Sequence, residues 1–444
     1  MKKLLLIHPV PKEMTQGYGD TEAWGMPPLA LGYIAALTPS DWHIKIVDEY
    51  VEKLDINEKP DLVGITSYSV NATRAYKLAS EFKQKGIPTV IGGIHVSMMP
   101  EEAAKYVNTV VVGEAESIWM KVISDFENGQ LKEKYVGDKP SLVNLPIPKR
   151  DLFSEKYKMD VIQTSRGCPF NCEFCSVTAF NGAEYRQRPV EEVLDELQTI
   201  MKKVVYFVDD NILGVGKKAE ERAIDLFKGM MDRKIRKIWG TQTSINIIEN
   251  EDVLKYAYKS GCRALYIGIE SIKDVTLKEM RKGVNLKLGT DRFKHAISII
   301  HKHGIGVIGS FIVGNDNEDI TIFDELVRFI QDTKIDVLQL AFLTPFPGTK
   351  LFERLKMEDR IIYSNFPSDW DRCDMDQLMI IPKLMTVDQL VRGYDYVIHN
   401  TLSSYNILKQ FLKTLIVTKS VTSSIFTYSL NKDYLRYILP ERKF

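Results

Sequence analysis

The chain of 444 residues lacks an excess of either charge, with 59 lysines and arginines against 59 aspartates and glutamates. That balance excludes a global field drawing the protein to nucleic acid or to an anionic surface, and leaves only local patches. No apolar run reaches the length of a membrane span. The start, MKKLLLIHP, has too short an apolar stretch for the core of a secretory signal. Repeats and low-complexity segments are missing as well. Cysteine is scarce, five in all, which argues against a disulfide scaffold and for a reducing cytoplasm. What the chain has is 44% hydrophobic residues, ample for packed cores, in a length suited to two or three domains.

Three of the five cysteines stand together. Cys168, Cys172 and Cys175 form C-x-x-x-C-x-x-C inside TSRGCPFNCEFCSV. Structural zinc takes four ligands, yet Cys262 and Cys373 stand alone far downstream and no histidine lies near the triplet. Three thiolates are one short of a saturated site. A 4Fe-4S cubane held by three cysteines leaves one iron open, and that iron can take the amino and carboxylate groups of S-adenosylmethionine. An electron passed into this assembly cleaves the sulfonium and releases a 5'-deoxyadenosyl radical. An oxygen-sensitive centre of this kind suits an anaerobic setting.

Alternation of short β-branched runs with helical stretches predicts an α/β fold throughout. Strands at 3–9, 43–50, 62–68, 88–95 and 109–116 give a doubly wound, Rossmann-like domain over 1–139, with prolines 27 and 28 starting one helix and Asn71 capping another. Ligands of such sheets sit at the strand carboxyl ends, here His8, Asp48, Ser67, Gly92, Gly93, His95, Gly113 and Glu114. A proline-rich linker follows at 140–150. Strands at 161–165, 204–210, 238–245, 264–270, 306–314 and 337–343 make six strand-helix units, too few for a closed barrel. The expectation is an open six-stranded partial TIM barrel over 151–364, with the cysteines just beyond its first strand, where such barrels carry their chemistry. A small helical domain is expected over 365–444.

With these residues in view, the chain resembles radical S-adenosylmethionine enzymes that carry an N-terminal cobalamin-binding domain. GITSYSVNATRAYKLA, VIGGIHVSMMPEEA and VVVGEAES resemble signatures of that N-terminal domain. YRQRPVEEVLDEL, YFVDDNI, GIES, FIVGNDNED and LTPFPGT resemble landmarks of the radical domain. SDWDRCD and IIPKLMT are similar to the extension of hopanoid methylases and relatives acting on lipid chains. Carried over by position, the resemblance implies that Cys168, Cys172 and Cys175 bind the cluster. Asp209, Asp210 and Asn211 fall where the methionyl amino group is contacted. Ser244, Asn246, Glu270 and Ser271 fall where the carboxylate and ribose are bound, and Gly309, Ile312 and Gly314 where adenine approaches the backbone. Simpler roles stand beside these. Asp209 and Asp210 can cap the helix after Gly216, Glu270 can pair with Arg263 or Lys273, and Arg186 and Arg188 can bind an anion or pair with the acidic helix 191–196. Cys262 reads as a packed thiol, whereas Cys373 reads either as structural or as facing substrate.

The D-x-H-x-x-G signature, which supplies a histidine to cobalt, is absent. Cobalamin is nonetheless implied by the resemblance, with Gly92 and Gly93 admitting its nucleotide tail and Ser67 and Ser69 bonding its amides. Cobalamin and a deoxyadenosyl radical together suit methylation of an unactivated carbon in a small-molecule or lipid substrate, fed by a donor such as flavodoxin or ferredoxin. Ring formation, rearrangement or carbon-carbon bonding without methylation is the alternative, and a corrinoid or redox sensor is the non-enzymatic one. The segment 407–439 mixes apolar residues with Lys409, Lys413 and Lys419. It reads either as a stripe packed on the barrel or as a peripheral membrane contact.

Overall fold

Two parallel sheets account for the strand-helix alternation in a computed structural model describing residues 1–11 and 25–438. Residue 439, the last of the apolar-basic segment, and the five after it lie outside those described. The described chain divides into two compact units. The first is Met1–Val161 with Pro345–Arg354 and Tyr363–Gln377; the second is Ile162–Thr344 with Leu355–Ile362 and Leu378 onward.

In the first unit β1 (Lys3–His8), β2 (His43–Asp48), β3 (Leu62–Thr66), β4 (Thr89–Gly92), β5 (Thr109–Val112) and β6 (Lys134–Val136) form one sheet in the order 2-1-3-4-5-6. All its pairings are parallel. Leu4 to Ile7 are all buried because a parallel strand is covered on both faces. The helix Ala72–Gln84 buries Ala72, Ala75, Tyr76, Ala79 and Phe82, one face at helical spacing. Strand β6 was not legible, since KYV is too short to show a period. Asn71 sits at the helix start but does not cap it. Its oxygen accepts from the Tyr68 N–H at 2.8 Å, and its amide donates to the Pro9 carbonyl.

The second sheet contains β7 (Met159–Ile162), β10 (Val204–Phe207), β11 (Ile238–Thr243), β12 (Cys262–Glu270), β13 (Gly306–Val313) and β14 (Val337–Phe342), in sequential order. It is the expected open set of six strands, parallel from β10 to β14. Between β7 and β10 lies a small antiparallel pair, β8 (Ser165–Arg166) with β9 (Arg186–Gln187).

The C-terminal region is helical, over Val387–Thr401, Ser404–Thr418 and Val421–Ile438, but it does not stand apart as a third domain. Tyr394 donates to the Leu340 carbonyl at 3.0 Å, Ser423 to the Gly304 carbonyl at 2.7 Å and Asn431 to the Asp336 carbonyl at 2.8 Å. These bonds tie the helices to the barrel strands and their entry loops. The Trp-containing loop belongs instead to the first unit, where Trp370 is fully buried and stacks on Phe366 at 3.7 Å. Among the described residues, no helix is long and apolar enough to cross a membrane.

Candidate functional site

The three cysteines lie on the loop between β8 and the short helix Ser176–Asn181. Cys172 is buried and the other two are half-buried. Gly167 opens the loop at φ +82°, and a side chain there would run into the Glu184 carbonyl, so only glycine suits. The loop is anchored from the end of β10. Asp209 accepts from the Thr164 N–H at 2.8 Å, from the Ser165 N–H and from the Ser165 hydroxyl at 2.7 Å. Asp210 accepts from the Gly167 N–H at 3.0 Å. Arg222 holds the other side of the Thr164–Ser165 peptide, donating to the Thr164 carbonyl at 3.0 Å. Both aspartates are therefore turned to the backbone just before Cys168, and the capping role after Gly216 is not theirs. Burial raises the pKa of Asp209 and pushes Asp210 up to about 6.

A lysine that sequence reasoning overlooked supplies the site's positive charge. Lys282 Nζ lies 2.8 Å from Glu270 Oε1, with both side chains nearly buried. Burial drags the lysine pKa down, but Glu270 and Cys172 more than compensate and hold it above its ordinary value. Burial pushes the Cys172 thiol up to about 11 and raises Cys168, with the Lys282 charge opposing both. Glu270 has φ +64° at a register shift between β12 and β13, and Asn285 fastens that bulge by donating to the Gly268 and Ile269 carbonyls at 3.0 and 2.8 Å. The partners expected for Glu270 are engaged elsewhere. Arg263 bonds Thr422 at 2.7 Å, and Lys273 pairs with Glu325 at 3.4 Å. A side chain on Gly268 would strike Glu270 Oε1 and come within 2.9 Å of Lys282 Nζ. Gly268→Ala is accordingly expected to force the pair apart and lower stability by about 1–3 kcal/mol, read from thermal unfolding.

The remaining candidates of this unit serve mixed ends. Asn211 donates to Ser244 Oγ at 2.9 Å and accepts from the Leu213 and Gly214 N–H groups. Asn246 donates to the Gly214 carbonyl at 3.3 Å, while its buried oxygen has no partner. Ser271 donates to Glu318, which also accepts from the Gly314 and Asn315 N–H groups, so a buried glutamate missed in the sequence joins the ends of β12 and β13. Gly309 is not an open edge: a side chain there would meet Ile335 at 2.9 Å. Gly314 has φ +97°, and Ile312 is half-buried. Arg188 pairs with Glu196 at 2.6 Å in the interior, the structural reading of the two. Cys262 and Cys373 are buried thiols.

In the first unit Ser67, Gly92, Gly113 and Glu114 stand at or just beyond strand carboxyl ends. Gly93, at φ +113°, would drive a side chain into the Ser67 backbone, and Gly113 one into the Gly137 carbonyl. Gly92 differs. A side chain there would make only ordinary contact, 3.7 Å from Val111, so protein packing does not explain its bareness. His95 is no open metal ligand. It is buried, with Nδ1 3.1 Å from Ser69 Oγ and Nε2 3.1 Å from the Tyr76 hydroxyl. Glu102 accepts from the same Tyr76 hydroxyl and from the Trp370 indole, each at 3.0 Å.

Burial alone would raise the Glu102 pKa, but the bonds from His95, Trp370 and Tyr76 outweigh it and hold it below the usual glutamate value. A depressed carboxylate stabilises the fold above its unfolded pKa and ceases to do so as pH falls through the folded one. Wild-type protein is thus expected to lose stability in acid below the ordinary glutamate range, and Glu102→Gln to lose less over that interval by this one group's share. Unfolding midpoints measured against pH check this.

The cysteine loop fits a cluster. Its donors are all sulfur, and a buried cation stands beside them to balance an anionic centre. Residues 162–330 match the model of the Radical SAM superfamily, and residues 24–123 that of the B12 binding domain. The chain is 32% identical over 373 residues to bacteriochlorophyllide d C-8(2)-methyltransferase of Chlorobaculum tepidum, covering 79% of this chain and 80% of that one. It is 31% identical over 408 residues to the C-12(1)-methyltransferase of the same organism, covering 88% and 86%. Its fold is similar to that of the cobalamin-dependent S-adenosylmethionine radical enzyme OxsB, solved with aqua-cobalamin and S-adenosylmethionine. There the TM-score is 0.73 at 15% identity, over 100% of this chain and 74% of that one. The three-cysteine loop on an open six-stranded barrel, the parallel 2-1-3-4-5-6 sheet and these matches agree: the chain belongs to the B12-binding branch of the radical SAM enzymes, which use a 4Fe-4S cluster, S-adenosylmethionine and cobalamin.

Proposed function

We propose that the protein reductively cleaves S-adenosylmethionine and, with cobalamin, methylates an unactivated carbon of a small-molecule or lipid substrate. The observation that carries this reading is the co-occurrence of the three-cysteine loop with a B12-binding domain in a chain more than 30% identical to two methyltransferases. When bound, the cluster and S-adenosylmethionine supply a 5'-deoxyadenosyl radical and the corrinoid a transferable methyl group. The chain itself holds and shields. Cys168, Cys172 and Cys175 hold the cluster, and Asp209, Asp210 and Arg222 fix the backbone from which they project. Asn211, Ser244, Asn246, Glu270, Ser271, Ile312 and Gly314 are the candidate contacts for S-adenosylmethionine, with Gly92 and Ser67 for cobalamin. Tyr266 packs with Ala264, Ile308, Val337 and two side chains of the last helix, which covers the sheet near the amino-terminal ends of β12, β13 and β14.

Anaerobic incubation with methyl-labelled S-adenosylmethionine and extracts containing candidate acceptors tests the proposal. Deoxyadenosine, S-adenosylhomocysteine and a labelled product methyl are expected together. Deoxyadenosine with neither of the others would reject methylation and leave ring formation, rearrangement or carbon-carbon bonding. Absence of reductive cleavage would leave only a sensing role. A cytoplasmic setting and a reduced flavodoxin or ferredoxin as electron source belong to the same reading.

A further inference from the structure

The helical hairpin Ser404–Thr418 and Val421–Ile438 is built inside out. Beside the buried Ile407 and the inward-packed Phe426 and Leu430, most of its buried positions are polar: Thr414, Thr418, Ser423, Ser424, Thr427 and Asn431 are all nearly inaccessible. They are also satisfied. Thr414 donates to Asp336, Ser423 to the Gly304 carbonyl at 2.7 Å, and Ser424 to the Ser420 carbonyl at 2.9 Å. The outward positions are apolar. Tyr405, Leu408, Leu412 and Ile416, spaced by three, four and four, lie on one helix face, and Val421 and Ile425 add a second pair; each is more than half exposed. A helix on a water-facing surface has the opposite pattern, with its apolar stripe toward the core. Because the inner face is already filled by hydrogen-bonded polar groups, no rotation of either helix could hide the outer one without breaking those bonds.

Charge decides what covers this face. Between Asp395 and Asp433 the chain carries no aspartate or glutamate, although it is neutral as a whole. The same stretch carries Lys409, Lys413, Lys419 and Lys432, and Lys409 and Lys413 directly follow two of the outward leucines. A second copy docked about a two-fold axis would set this basic hairpin against itself, with Asp433 near its far end as its one acid. A bilayer with anionic headgroups offers apolar depth for the stripe and negative charge for its flank. Since no described helix can span a membrane, the hairpin would lie along the surface. We propose that this hairpin is a peripheral membrane-docking surface that seats the protein on anionic lipid. The inference is independent of the methylation reading.

Flotation of the full-length protein with phosphatidylcholine vesicles, with and without an equal part of phosphatidylglycerol, tests it. The protein is expected to float with the anionic vesicles, to float far less with the neutral ones and to be released by salt. Leu412→Glu combined with Ile416→Glu alters exposed positions only and is expected to abolish flotation with unchanged thermal unfolding. Lys409→Gln and Lys413→Gln should each weaken partitioning about fivefold. Failure of wild-type protein to float with anionic vesicles overturns the proposal, and so does flotation indifferent to these substitutions. A wild-type dimer in sedimentation that the Leu412→Glu, Ile416→Glu variant converts to monomer would assign the face to a second copy instead.

Discussion

Serine in place of Cys168, Cys172 or Cys175 abolishes reductive cleavage of S-adenosylmethionine while leaving the chain folded. A hydroxyl at these positions stays protonated and binds iron poorly, so a cubane already one ligand short would be left with two anchors. The expected fall in 5'-deoxyadenosine formation is roughly three orders of magnitude or more, the equivalent of about 4 kcal/mol in the barrier. Stability of the cluster-free chain should change little for the half-buried Cys168 and Cys175, whereas serine at the buried Cys172 should cost about 1–3 kcal/mol through its buried hydroxyl without unfolding the chain. The two remaining cysteines supply the contrast. Cys262 and Cys373 are buried thiols whose pKa values are driven upward by burial. Serine at either position should cost about 1–3 kcal/mol of stability through a buried hydroxyl, yet leave cluster iron and sulfide unchanged. Iron, sulfide and deoxyadenosine assays on the five variants, beside their melting curves, check both halves.

Lys282→Met is expected to be the most disruptive single change outside the cysteines. It leaves the Glu270 carboxylate in the interior without its cation, and breaking a buried pair from one side costs about 3–5 kcal/mol. Joining it with Glu270→Met removes the stranded charge and should restore most of that stability. The double variant is informative because folding and electrostatics then separate. With its fold recovered it still lacks the positive group whose charge acts on Cys168 and Cys172. Reduction adds an electron to an anionic cluster, and the double variant loses the Glu270 charge that opposes Lys282 at Cys172 along with Lys282 itself, so the potential should shift negative only by their difference, on the order of ten millivolts. Potentiometric titration of the reconstituted double variant reads this. A wild-type potential would mean that the Lys282–Glu270 pair exerts no net field on the cluster and serves the fold alone.

Local patterns made the fold legible. Short apolar runs at regular intervals located eleven strands, because most are buried on both faces and read as continuous runs, while edge strands such as β2 alternate. Strand β6 escaped for want of length, and the antiparallel pair β8 and β9 because two-residue strands carry no period. The cysteine triplet stood out because three thiols at that spacing suit little else. Their supports were not. Asp209 and Asp210 stand at a strand end, as a ligand contact would, and nothing local reveals that their oxygens turn back to the peptides before Cys168. Lys282 and Glu318 lie beyond their partners in sequence and meet them only because a bulge and a helix return the chain to the strand ends. Gly309 shows the opposite error. A bare backbone on a strand looked like room for adenine, but Ile335 fills it. The C-terminal helices read as a separate domain because their polar contacts to Asp336 and Gly304 join residues about a hundred positions apart.

Anoxic purification and reconstitution, followed by iron, sulfide and corrinoid quantification with a visible spectrum, tests the central claim most directly. The account predicts about four irons and four sulfides per chain, a cluster absorbance lost in the cysteine variants, and one bound corrinoid. Zinc held tetrahedrally by the three cysteines, or a chain that takes up neither iron nor sulfide, would contradict it.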